Sequence, residues 1–288
     1  MQKLHRWLLL VPIALGVAAS WTPAQAATLL QHSRATNSGQ RLSATPFSET
    51  PEASAPPEFG RCIKTPGGSY LSGVCTKTTG AGEGNYQWYS AFGSANPLEK
   101  VGFSNTLQEG TLVSLETVGK STVVCEGENT IGEYTGNKTV GSVVVTFSTC
   151  SAVGGRCTSP GAGEGAIVTN ALEGTLGVIT AASEAVNNKI GEDLFPPGHT
   201  GTVAQFTCSG ITFVVSGSVI FPLSTNTMKL TTTVKFSATK GKQKPERFAG
   251  EPTDVLLSAI GGGSPEQSGQ TLTGAQTNEE KLEVNSVV

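Results

Sequence analysis

Histidine and aspartate are almost missing from this chain. Of 288 residues three are histidines, and only Asp193 and Asp254 are aspartates. Beyond position 57 a single imidazole remains, His199, in the turn-like context Pro196-Pro197-Gly198-His199-Thr200-Gly201. A Ser-His-Asp site would have to be built on it, and no G-x-S-x-G elbow accompanies it, so His199 reads as a surface-turn histidine. No D-x-D-x-D-G run exists to form a calcium loop. Charge is scarce too, at 14%. No apolar run approaches the roughly 20 residues that a membrane-crossing helix needs. Helical periodicity is confined to a weak segment at Ala181 to Asn188, and neither glycine-rich loop is followed by Lys-Ser/Thr or a convincing helix, which makes a phosphate cradle a poor fit.

What is present begins with a leader. Lys3, His5 and Arg6 precede the apolar run Trp7 to Ala19, and Ala24-Gln25-Ala26 is the small-x-small pattern of a signal-peptidase site, so residues 1–26 are expected to be a signal peptide cleaved after Ala26. Its removal leaves 17 basic and 22 acidic residues, a net charge of −5. That balance offers no electrostatic attraction to nucleic acid or to an anionic membrane surface. Residues 27–57, rich in Ser, Thr, Ala and Pro, read as a disordered tether, and residues 58–288 as the folded part. The expected location is secreted or cell-wall-associated.

The folded part is written in strands. Thirty-six glycines, above the roughly 7% of an ordinary chain, punctuate β-branched runs. Strands are expected at Thr111 to Val118, Ser121 to Cys125, Ser142 to Cys150, Glu173 to Thr180, Thr202 to Cys208, Ile211 to Phe221, Asp254 to Ile260, Ser268 to Gly274 and Lys281 to Asn285. The clearest is Thr227 to Thr239, where Met228, Leu230, Thr232, Val234, Phe236 and Ala238 alternate with polar neighbours. At about 3.3 Å per residue it spans some 43 Å, which suits a barrel or a large twisted sheet. The expectation is one all-β domain, an antiparallel β-barrel or β-sandwich; a split near Ala152 to Pro160 is the alternative.

Six cysteines, Cys62, Cys75, Cys125, Cys150, Cys157 and Cys208, all follow the leader, and an even number in an exported chain implies three disulfides. Zinc sites favour closer C-x2-4-C spacings, so no metal site and no cofactor is expected. Local spacing favours Cys62–Cys75 and Cys150–Cys157, leaving Cys125–Cys208. The rival, Cys125–Cys150 with Cys157–Cys208, stays open because a hairpin turning near Gly136-Asn137 would bring Cys125 almost opposite Cys150.

The segments Glu58-Phe59-Gly60-Arg61-Cys62, Gly132-Glu133-Tyr134-Thr135-Gly136, Val145-Thr146-Phe147 ahead of Cys150, Gly163-Glu164-Gly165, Gly217-Ser218-Val219-Ile220 and Gln276-Thr277-Asn278-Glu279-Glu280 occur together. In this the chain after the tether resembles a family of exported actinobacterial β-rich proteins of unknown function. The resemblance implies no activity, cofactor or site residue.

Candidate functional residues are few. The run Tyr86 to Phe92 reads as a strand with Tyr86, Trp88 and Phe92 on one face and Tyr89 on the other; the flat side chains with polar tips of Tyr86, Trp88 and Tyr89 are suited to stacking on sugar rings, with packing in the sheet as the competing reading. The motif GAGEG occurs twice, at Gly80 to Gly84 and Gly161 to Gly165, each after Cys-Thr, and reads as a repeated turn. Its glutamates, Glu83 and Glu164, are the pair to consider for carboxylate catalysis of glycoside hydrolysis, although glutamates among glycines usually sit in solvated turns. Glu192-Asp193 and Glu279-Glu280 read as solvated in the same way. The function expected from these features is an exported, non-enzymatic binding or structural module of the cell wall or extracellular space, meeting a wall glycan or another extracellular protein. The alternatives are a carboxylate-dependent glycan hydrolase and an outer-membrane-type barrel, the latter lacking aromatic girdles.

Overall fold

A computed structural model describes residues 57–80, 82–90, 101–152 and 154–286. The expected leader and all but the last residue of the tether lie outside the described residues, as do Ala91 and Phe92 of the aromatic run. Of the described residues 62% are in strands and 3% in helix, and they form a closed antiparallel barrel of 8 strands with further strands outside it. Among the described residues no helix is long and apolar enough to cross a membrane.

In chain order the strands are β1 Glu58–Gly68, β2 Gly84–Ser90, β3 Gly102–Leu107, β4 Val113–Thr117, β5 Thr122–Cys125, β6 Gly127–Tyr134, β7 Thr139–Ser148, β8 Ser151–Ala152, β9 Gly155–Thr158 and β10 Ile167–Val168. They continue with β11 Leu172–Thr180, β12 Lys189–Phe195, β13 Thr202–Cys208, β14 Ile211–Ser216, β15 Val219–Pro222, β16 Lys229–Thr239, β17 Lys242–Lys244, β18 Leu256–Ile260 and β19 Glu266–Asn285. Each expected strand is present, with shifted ends. The segments near 268–274 and 281–285 are parts of the single long β19, and the weak helical signal contracts to one 3-10 turn, Ala185–Asn187.

The barrel closes through an unbroken ring of antiparallel neighbours: β19, β4, β5, β8, β9, β13, β14, β18 and back to β19. The wall extends along the same strand directions as β19, β3, β6, β7, β11, β12 and β15, with β16 on the other side of β19. β1 joins the far end of β19 and pairs with β2. On β16 the expected alternation holds in the middle of the strand: Val234 and Phe236 are buried, while Lys229, Thr231, Thr233 and Lys235 are exposed.

Gly217 divides the expected Ile211 to Phe221 strand into β14 and β15. It has φ +83°, and a Cβ there would collide with the Val255 carbonyl oxygen. Beyond it Val219, Ile220 and Phe221 are all buried, as are six consecutive residues of β12 from Ile190. Both faces of this part of the wall are covered: the inner one by the core, the outer one by the segment after β17. Phe248 of that segment lies where a side chain on Gly177 would be, and the Ala249 N–H donates to the Val178 carbonyl at 2.7 Å.

The interior is filled. Its apolar end holds a space of about 70 Å³ among residues such as Val123, Phe206, Val215 and Leu256, and two spaces of about 30 Å³ each lie towards the other end. That second end is polar. Tyr134 donates to Asn278 at 2.9 Å, Gln276 donates to the Tyr134 oxygen at 3.1 Å, and Glu128 accepts from Asn105 at 3.0 Å and from Thr130. Glu192, expected in solvent, points into this region and is 4% exposed, and burial followed by repulsion from Asp193 raises its pKa to about 8.

All six cysteines are paired: Cys62–Cys75, Cys125–Cys150 and Cys157–Cys208. This corrects the pairing favoured by local spacing. Strand pairing sets Val124 opposite Ser151, Ser151 opposite Arg156 and Cys157 opposite Cys208, so Cys125, Cys150, Cys157 and Cys208 stand in one buried row across four adjacent strands. A bond between the inner two would leave the outer two three strands apart, roughly 14 Å at 4.8 Å per strand, beyond a disulfide's Cα–Cα reach of about 7 Å. Pairing from the ends of the row inwards is the arrangement that joins all four.

Candidate functional site

With the interior filled, two clefts on the outer surface of the described residues offer room for a ligand. The first, about 470 Å³, is bounded by Tyr70, Cys75, Thr76, Trp88, Asn226, Glu283 and Asn285. β2 sets Trp88 opposite Cys62 of β1, and β1 in turn pairs with the end of β19, which supplies Glu283. The indole N–H of Trp88 donates to Glu283 Oε1 at 2.5 Å. Burial raises the Glu283 pKa and this hydrogen bond opposes the rise. Trp88 is half-buried, and Gly60 beneath it is required because any Cβ there would meet the indole ring.

Of the three expected aromatics, Trp88 lines this cleft. Tyr86 shares its face of β2 and lies beside Gly73, and Tyr89, opposite Arg61, is on the other face as the alternation expects. The aromatic that joins Trp88 at the cleft is Tyr70, which the sequence did not single out. Its bridge to Tyr86 was the missing signal, and that bridge is a tertiary feature.

Glu83 and Glu164 are both exposed, on the β1–β2 and β9–β10 connections respectively. The two turns belong to strands with no pairing in common: β1 pairs with β2 and with β19, β9 with β8 and β13, and β10 with β7. Glu280, taken with Glu279 as solvated, is exposed but forms an ion pair with the buried Arg61 guanidinium, and Glu279 accepts from the Gly102 N–H at 2.7 Å.

The second cleft, about 390 Å³, lies outside β11, β12 and β15 beneath the segment 248–254. Asp193 is at its inner wall, 3% exposed, which corrects the expectation of a solvated residue. His199 follows on the 3-10 turn Pro197–His199, its ring stacked on Phe195 with centroids 3.7 Å apart, and its Nδ1 stands 3.8 Å from Asp254 Oδ2. Donor atoms of Asp193, His199 and Asp254 all lie within 4.8 Å of one another. Burial raises the Asp193 pKa to about 7; Ser218 opposes this, and Asp254 and Glu251 add to it. The Ser218 hydroxyl and Asp193 Oδ1 are nevertheless both without a hydrogen bond of normal geometry. The two carboxyls are closer than the ~6.5–9.5 Å of an inverting glycosidase pair. His199 is exposed, as expected for a turn, but it does not stand alone.

Comparison of the chain with protein-family models, with curated proteins and with solved structures gave no match.

Proposed function

We propose that the protein is an extracellular, non-enzymatic binding module that takes a polyhydroxylated ligand, a cell-wall glycan, in the outer cleft at Trp88. The observation that carries this reading is Trp88 itself: a half-buried indole held by Glu283 at the edge of a 470 Å³ cleft that also contains Tyr70, Asn226 and Asn285. An aromatic face bordered by amide and carboxyl groups is suited to the mixed apolar and hydroxyl surfaces of a sugar. The filled barrel supports an external site, since the space among its apolar core side chains, about 70 Å³, is well below the roughly 300 Å³ at which ligand pockets begin. Three disulfides are compatible with the extracellular setting.

The test is a fluorescence titration of protein beginning at Ala27, in which Trp88 is the sole tryptophan, with a panel of soluble cell-wall polysaccharides. A saturable change in emission is expected for at least one, with Kd weakened about tenfold or more in Tyr70→Ala. Unchanged emission across the panel, with no retention on insoluble wall, would remove the proposal.

A further inference from the structure

We propose that Asp193, His199 and Asp254 form a binding site for one divalent transition-metal ion of the zinc type. It is independent of the Trp88 cleft. The chain holds two aspartates in all and one histidine beyond position 57, and the fold brings these three residues together from β12, the turn after it, and the approach to β18. Their donor atoms lie within 4.8 Å of one another. Around zinc, with bonds of about 2.0–2.2 Å, neighbouring donors stand roughly 3–4 Å apart, so small side-chain rotations bring the set to bonding distance. The 3.8 Å between His199 Nδ1 and Asp254 Oδ2 is too long for a hydrogen bond and is the spacing expected of two ligands on one ion.

The independent observation is Asp193 Oδ1. It is buried without a hydrogen-bond partner, on a residue 3% exposed at the wall of the cleft. A buried carboxylate oxygen left unpaired is costly, and a cation in the cleft supplies the missing interaction. An imidazole with two carboxylates favours zinc, manganese or iron over calcium and magnesium, which prefer all-oxygen sets. The cleft side of the cluster stays accessible to water and to Glu251, which also lines it. The stacking of His199 on Phe195 fixes the ring plane in advance and reduces the ordering needed on binding.

The experiment is isothermal titration of the EDTA-treated, fully oxidised protein beginning at Ala27 with ZnCl2, with visible d–d absorption of bound Co2+ as a second readout. One ion per chain and a rise in Tm with zinc are expected. His199→Ala and Asp254→Asn should each weaken zinc binding at least tenfold, whereas Glu83→Gln should not. His199 and Asp254 side chains are 54% and 39% exposed, so these variants are expected to fold, and their Tm in EDTA checks it. Absence of binding, binding unchanged within threefold in both variants, or CaCl2 binding as tight as zinc would each overturn the proposal. The first of these results would leave a proton shared between Asp193 and Asp254 as the occupant of the cluster.

Discussion

Glu192 and Asp193 are consecutive residues buried on opposite sides of one barrel wall. Glu192 enters the polar interior beside Phe103, Asn105, Thr130 and Gln276, whereas Asp193 enters the outer cleft with His199 and Asp254. The two-residue period of a strand separates them, and burial raises the pKa of both. One short strand thus carries an uncharged structural acid inwards and the candidate ligand outwards.

Stability is expected to fall as pH rises from about 5 to 8. Burial holds the Glu128 pKa at about 7 against an ordinary 4.5, opposed by the hydrogen bonds from Thr130 and Asn105. The folded chain therefore keeps a proton that the unfolded chain releases, and the stabilisation present below pH 4.5 is lost progressively until the pH passes the folded value. Glu192 acts with the same sign up to about pH 8. Each such group contributes about 1.4 kcal/mol per pH unit within its window. Thermal melts in EDTA should show Tm dropping across this range and a shallower drop in Glu128→Gln; a Tm that rises or stays flat would contradict the buried protonated acids.

Peptide mapping under non-reducing conditions should recover Cys125 joined to Cys150, Cys157 joined to Cys208, and no free thiol. The sequence separations are 13, 25 and 51 for the three bridges in chain order. Chain entropy assigns them about 3, 3.5 and 4 kcal/mol. The four half-cystines of the row are also the buried ones. Paired serine substitution is therefore expected to lower Tm most at Cys157 and Cys208 and least at Cys62 and Cys75; the reverse order would refute the ranking.

Gly217→Ala should cost far more than Gly210→Ala. Both glycines have positive φ, +83° and +81°, but a Cβ on Gly210 meets nothing within 4 Å whereas one on Gly217 strikes the Val255 carbonyl. The left-handed conformation alone costs about 1–2 kcal/mol, so denaturant unfolding should show roughly that for Gly210→Ala and clearly more for Gly217→Ala. Equal losses would mean that Val255 moves aside freely.

Glu83→Gln and Glu164→Gln are expected to change stability by less than about 0.5 kcal/mol each, the usual limit for exposed positions away from special contacts. They should also leave glycan binding unaltered. A loss of glycan turnover in either variant would revive the hydrolase reading that these turns first suggested.

The all-β class, the strands with one wet face and the completeness of cysteine pairing were legible because they rest on local quantities. Alternation across β16 reports burial two residues at a time, and an even cysteine count needs no coordinates. β12 was missed because both of its faces are covered, which erases the alternation, and because Glu192-Asp193 in its middle imitates a solvated turn. Neighbouring strands chose the disulfide partners: Cys150 is near Cys157 in sequence, yet it bonds to Cys125 because four strands set all four sulfurs in a row. The meeting of Asp193, His199 and Asp254 was likewise decided by tertiary structure, since closing the barrel and laying the 248–254 segment over β12 joins positions that no sequence period relates.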